Sequence, residues 1–274
     1  MELRPGPFMR SMAKRLDPGS PTGIYLTVGL GCALLALLGF LSIAEDVMES
    51  ATLSVDRLVW AGVMALRTPA LTRVFWVATL SGDARVMFVS TTAVALLLLA
   101  WGRWRPAVAV VLLVLAGSWM SGALKSLFDR PRPPLRLALV ARPASMSFPS
   151  GHAMGSLMLF GTLALVLFFA EGRGPWQIAG ALACVFIALT VGVSRVYLGV
   201  HYASDVMGSW LLGATLIVPV VAALTAWDRF APPKGPPRPP GPWLRLARGA
   251  LVVLAPIAVV AALVLEAGAN PLMR

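Results

Sequence analysis

Two histidines, a carboxylate and several cations gather in three short stretches of an otherwise apolar chain. The richest is Ser194-Arg195-Val-Tyr-Leu-Gly-Val-His201-Tyr-Ala-Ser-Asp205. On a helix, a spacing of four sets His201 and Asp205 on one side, about one turn apart. A carboxylate placed there accepts the proton of one ring nitrogen and leaves the other to attack an electrophile. Arg195 precedes the turn Leu198-Gly199, and its planar fork suits two phosphate oxygens.

The second stretch, Pro149-Ser150-Gly151-His152, stands directly before a long apolar run. Pro149 blocks earlier helix, Ser150 is a good N-cap, and Gly151 removes side-chain bulk. The resulting helix N-terminus offers backbone N–H groups and a positive dipole end to an anion. His152, in the first turn, is placed to protonate a leaving oxygen as general acid. The third stretch runs from Lys125 through Asp129-Arg130-Pro131 to Arg132-Pro133, and its prolines restrict the directions open to Arg132. Taken singly, each stretch also fits a plain role: a satisfied His–Asp pair, a capped helix start, a lysine snorkelling from a helix end.

Together they describe a phosphoryl site. Phosphoryl transfer is mostly positioning and electrostatics. Lys125, Arg132, Arg195 and the backbone at Gly151 supply the positive charge that a magnesium ion supplies elsewhere. With Asp205 used to orient His201, too few ligands remain for a metal, so neither metal nor cofactor is expected.

The elements that carry these residues are membrane helices. Of 274 residues 58% are hydrophobic and only 13% charged, where a soluble domain carries about 25%. Mean hydropathy is +0.80. The net charge of +11 does not mark a nucleic-acid binder, because the basic residues are scattered between apolar runs. Anionic lipid and an anionic substrate account for it better. Cys32 and Cys184 lie in apolar runs without metal-ligand spacing and read as buried small hydrophobes.

Seven stretches approach the roughly 20 apolar residues that a span requires. They are Ile24–Ala44, Val86–Trp101, Pro106–Leu127, Ala153–Ala170, Trp176–Val193, Val206–Trp227 and Leu246–Leu265. The second is short and must borrow from its flanks. Between the first two, Glu45–Arg85 is mixed, with Asp56 and Arg57 opposite an apolar stripe, and predicts one or two amphipathic interfacial helices. The expected fold is an all-α polytopic bundle. It divides into a basic cytoplasmic tail (1–23), a six-span core (24–227), a Pro-rich linker (228–245) and an added membrane helix with its tail (246–274). Basic residues in the amino-terminal tail and in alternate loops place these inside, so the three stretches fall on the periplasmic or extracellular side. The Leu135–Val140 segment reads either as one wall of a lipid entry or as a simple connector.

In these residues the chain resembles the type 2 phosphatidic acid phosphatase family, integral-membrane lipid phosphatases in a superfamily with glucose-6-phosphatases and vanadium haloperoxidases. The signatures K-x-x-x-x-x-x-R-P, P-S-G-H and S-R-x-x-x-x-x-H-x-x-x-D occur in order, without mismatch, between Lys125 and Asp205. The resemblance implies His201 as nucleophile forming a phosphohistidine, Asp205 as its orienting partner and His152 as acid and then base. It implies Lys125, Arg132, Ser150, Gly151 and Arg195 as phosphate ligands. The expected activity is hydrolysis of a lipid phosphomonoester or diphosphate at the outer face of a bacterial inner membrane. Undecaprenyl diphosphate, phosphatidylglycerol phosphate and phosphatidic acid are the candidates. Two alternatives remain open: a lipid phosphotransferase sharing the phosphohistidine, and a non-enzymatic lipid transporter.

Overall fold

The computed structural model describes residues 21–169 and 174–230. Among them all extended regular structure is helical: α1 (Pro21–Met48), α2 (Leu53–Ala65), α3 (Pro69–Leu80), α4 (Ala84–Ala100), α5 (Trp104–Phe128), α6 (Gly151–Phe168), α7 (Pro175–Tyr197) and α8 (Ala203–Phe230). A π-helical turn at Leu157–Gly161 interrupts α6. Residues 1–20 of the basic tail, residues 231–245 of the Pro-rich linker and the expected span Leu246–Leu265 lie outside the described residues.

Local chemistry sets the helix ends. Thr68 accepts a hydrogen bond from Leu71 N, with Pro69 in the first turn of α3. Asp83 accepts from Arg85 N and starts α4. Helix α5 stops where Asp129 takes a left-handed conformation, φ 44°, and its N–H donates to Lys125 O. Such a stop turns the chain sharply and delivers Arg130 and Arg132 back over the bundle end.

Five helices are long and apolar enough to cross a membrane: α1 from Leu26, α5, α6, α7, and α8 to Trp227. Each lies within a few residues of an expected span. The expected second span is different. Helix α4 has 17 residues, and it qualifies only jointly with α3, which joins it at a 55° bend. Residues 69–80 thus form half of a broken span or re-entrant pair, where an interfacial helix was expected. The prediction for α2 also needs correction. Asp56 is 1% exposed, so it belongs to the buried face of α2 and not to a solvated one.

Outward faces remain apolar. Leu34, Leu35, Trp119, Leu182 and Phe186 are all exposed, as expected of helices immersed in hydrocarbon. Cys32 shares the outward face of α1, contrary to its expected burial, whereas Cys184 is buried. With lipid outside, close packing and polar contacts hold the helices together. Helix α1 lies along α8, where a Cβ on Gly29 would come within 2.9 Å of Ala222 Cβ. The centre is filled by Phe40, Phe148, Met154, Met158, Leu212 and Ile217. Phe148 stacks on Phe40 and meets Phe128 edge-on, directly beneath the polar end of the bundle.

Candidate active site

Ends of α5, α7 and the starts of α6, α8 converge at one end of the bundle. Ser150 is the N-cap of α6, its side chain accepting from Ala153 N at 3.5 Å. His152 follows in the first turn. Lys125, in the last turn of α5, donates from Nζ to Met146 O and to Pro149 O, each at 2.8 Å. This fastens the stretch before Ser150 to the end of α5.

His201 does not sit on a helix, as its spacing from Asp205 had suggested. It lies in the turn before α8, which begins at Ala203. Gly199 makes this turn feasible: its φ is +74°, and a Cβ there would collide with Leu137 O. Val200 N and His201 N both donate to Arg195 O, closing the turn onto the end of α7. Asp205, in the first turn of α8, still reaches back to the ring. Its Oδ2 lies 3.2 Å from His201 Nδ1 and also accepts from Tyr202 N and from Ser147 Oγ.

The other ring nitrogen settles the tautomer. Arg132 Nη1 lies 3.0 Å from His201 Nε2. Guanidinium groups carry donors only, so Nε2 must accept and the proton must stand on Nδ1, facing Asp205. Burial holds the ring down to about 3, well below the usual histidine value of 6.5, though the Asp205 hydrogen bond and charge oppose this. Arg132 and Arg195 push in the same direction as burial. The ring is neutral at physiological pH, with its lone pair on Nε2.

Arg132 is 7% exposed and held on every side. Nε donates to Ser145 O, Nη1 to Val200 O, and Nη2 to Ser145 Oγ and Met146 O. Arg195 is 4% exposed and donates from Nη1 to Thr79 Oγ1 at 2.7 Å. Its Nε–H is buried without a hydrogen-bond partner among the described residues. His152 is half-buried, within electrostatic reach of Arg195, His201, Arg132 and Lys125. It packs against the bend between α3 and α4, where a Cβ on Gly82 would come within 3.0 Å of its Cδ2. Gly151 lies beside Ser121 in the same first turn. The structure therefore gathers every residue singled out from the sequence at one end of the bundle.

A profile of the PAP2 superfamily matches residues 106–229. A relative named phosphatidylglycerophosphatase B, from Bacillus subtilis, is 27% identical over 182 residues, covering 65% of this chain and 87% of the relative. The fold matches the crystal structure of a transmembrane PAP2 type phosphatidylglycerolphosphate phosphatase from Bacillus subtilis, with TM-score 0.60 and 25% identity over 73% of this chain and 97% of that one. Residues 106–229, which hold all three motifs, belong to the PAP2 superfamily. An undecaprenyl-diphosphatase of Sulfolobus acidocaldarius is 36% identical over 76 residues, 28% of this chain and 32% of that protein. At this level the chain is similar to PAP2-type membrane phosphatases of lipid phosphates.

Several residues around this PAP2 site escaped the sequence reading. Arg130, two residues before Arg132, donates to Asp205 Oδ1 at 2.6 Å and to Asp56 Oδ2 at 2.7 Å. Thr79 partners Arg195 from α3. Arg67 donates from Nη2 to Tyr197 O and to Leu137 O, tying the α2–α3 connection to the end of α7. The only sequence signal was the crowding of Arg130 into the first motif. Asp56 lies 74 residues from Arg130 and Thr79 116 residues from Arg195, and no local pattern marks either. Leu135–Val140 docks through Leu139 N to Leu198 O and leaves Leu135 exposed.

Proposed function

We propose that the protein hydrolyses a lipid phosphate through a phosphohistidine on His201, with phosphatidylglycerol phosphate the leading substrate. The observation that carries this reading is the clamped His201 ring, protonated toward Asp205 and presenting an Nε2 lone pair beside Arg132. The names of the two Bacillus subtilis relatives favour phosphatidylglycerol phosphate; the archaeal relative keeps undecaprenyl diphosphate, and the shared chemistry keeps phosphatidic acid, among those to be tried.

In the first step Nε2 attacks phosphorus and the P–O bond to the lipid breaks. His152 gives its proton to the departing oxygen, and a lipid alcohol (or a lower phosphate) leaves. In the second step His152 takes a proton from water, the water oxygen bonds to phosphorus, and the P–N bond breaks. Inorganic phosphate leaves and the ring returns to its starting tautomer. Arg132, Lys125, Arg195, Ser150 and the backbone at Gly151 hold the three equatorial oxygens. The unpaired Nε–H of Arg195 fits a phosphate oxygen. The entering phosphoryl group takes over the Arg132 contact with Nε2, converting a resting hydrogen bond into an attack trajectory. This mechanism uses cations of the chain where other phosphoryl-transfer sites use metal.

We place the site at the outer face of a bacterial inner membrane. In support, Arg103 and Arg105 begin α5 at the end opposite Lys125, about 30 Å away at 1.5 Å per residue, as inside-facing basic residues should. We also retain the division into core, linker and added helix at 227/228 and 245/246.

The test is phosphate release by detergent-purified protein from phosphatidylglycerol phosphate, undecaprenyl diphosphate, phosphatidic acid and glucose 6-phosphate, with His201→Ala as control. Release from a lipid but not from the sugar, lost in the variant, is expected. Release unaffected by the substitution contradicts the proposal.

A further inference from the structure

Two carboxylates and one guanidinium form a buried chain that continues the His201–Asp205 pair away from the reacting nitrogen. Arg130 donates from Nη1 to Asp205 Oδ1 at 2.6 Å and to Ser204 Oγ at 2.8 Å. From Nη2 it donates to Asp56 Oδ2 at 2.7 Å and to Thr52 Oγ1 at 3.0 Å. Asp56 in turn accepts from Ser204 N at 3.0 Å and from Ser204 Oγ at 2.7 Å. Side-chain exposures are 6% for Arg130, 1% for Asp56 and zero for Asp205. Tyr202 covers the guanidinium face at 4.3 Å, and Trp60 packs on Tyr202.

Such an arrangement is costly to bury and serves stability poorly on its own. Apolar residues of the same volume usually do as well or better. Its geometry has a different use. Asp205 Oδ2 faces the His201 ring while Oδ1 is held by Arg130, so the carboxylate cannot rotate without breaking a charge-assisted contact. Arg130 is fixed in turn by Asp56 on α2. Asp56 also balances the guanidinium charge. Without it, Arg130 would draw on Asp205 alone and weaken the support that Asp205 gives a ring becoming positive.

We propose that Asp56 and Arg130 are positioning residues of the hydrolase, which aim Asp205 and preserve its negative charge for His201 through the chain Asp56–Arg130–Asp205–His201. The kinetic part rests on the phosphatase reading above; the geometric part does not. The charged or titratable groups facing His201 are Asp205 from α8, Arg132 from the α5–α6 connection and Arg195 from α7, with His152 of α6 within electrostatic reach.

Two variants test it. Asp56→Asn keeps the shape but removes the balancing charge and replaces one of the two accepting oxygens with a donor. Arg130→Lys keeps a cation but loses the fork that spans two carboxylates, so it guards against a folding failure of the first. Both are expected to lower kcat about tenfold with KM little changed, as for groups acting through another residue. The second readout is independent of turnover. The chain contains only two histidines, so nitrogen-15 histidine NMR on a His152→Gln background reports His201 alone. The parent should show a single tautomer with the proton on Nδ1, and either variant should shift it toward a tautomer mixture. Unchanged kcat together with an unchanged His201 spectrum in a folded variant overturns the proposal. A wild-type protein that releases no phosphate removes the hydrolase reading, and the spectrum alone then decides the positioning role.

Discussion

Arg132 Nη1 stands 3.0 Å from His201 Nε2, across the ring from the Asp205 contact at Nδ1. One imidazole is thus held between a cation that can only donate and a carboxylate that accepts. This pairing permits a single tautomer, and it is the tautomer a phosphoryl acceptor needs. The remaining donors of Arg132 bind the Ser145–Met146 loop and Val200, so the ring's orientation is tied to the local fold.

Replacing the proposed nucleophile should be decisive. His201→Ala is expected to lower kcat at least about a thousandfold while the protein still elutes as a folded species. Initial rates with lipid substrate, beside size-exclusion profiles, check this.

The pH behaviour follows from the neutral ring. Since burial holds His201 near 3, the acid limb of kcat/KM due to this ring should lie far below 6.5. A corresponding effect on stability has a definite sign. The unfolded chain binds a proton at His201 below about 6.5 that the folded chain refuses, so stability falls as pH drops from there toward 3. Above 6.5 this group contributes no pH dependence. Thermal unfolding in detergent between pH 7.5 and 5 should show melting points that decline only in the lower part of that range.

Those expectations bear on what was readable beforehand. The three motifs, the N-cap at Ser150 and five of the membrane helices were plain in residue type and spacing, because each depends on neighbours within a few positions. The i, i+4 argument for His201 and Asp205 reached the correct pair through an incorrect element. The contact forms across a turn shaped by Gly199, and Asp205 bends back to meet it. Asp56 was misread because its stripe on α2 resembles that of an interfacial helix, and its burial is explained by Arg130, 74 residues away, and Ser204, 148 residues away. The pairing of α3 with α4 was hidden for a similar reason. Neither half is long enough to span alone, and the bend at Ser81–Asp83 looks like an ordinary loop.

Thr79 should matter despite its distance in sequence. Thr79→Val removes the buried oxygen that accepts from Arg195 and leaves a guanidinium N–H unpaired. The expected loss is roughly 1.5 kcal/mol, about tenfold in kcat/KM. Steady-state kinetics would show it, and a wild-type value would mean Arg195 needs no anchor.

Gly199→Ala tests the turn. The new Cβ meets a positive φ and the Leu137 carbonyl together, so a destabilisation of about 1–3 kcal/mol is expected. The melting point should fall by several degrees, and activity should fall further than stability because His201 stands two residues on.

Chelation separates the proposed chemistry from metal-assisted hydrolysis. Activity should survive excess EDTA, whereas vanadate, which mimics the phosphoryl transition state, should inhibit. Loss in EDTA with recovery in magnesium would require a different account of charge stabilisation.

The most direct measurement is to trap the intermediate. Purified protein turning over its best lipid substrate would be quenched rapidly in alkali, where phosphohistidine survives, and its peptides analysed by mass spectrometry. The account predicts a transient phosphoryl group on His201, formed and lost at rates matching turnover and absent from His201→Ala. Steady phosphate release with no label on His201, or with label on another residue, would contradict it.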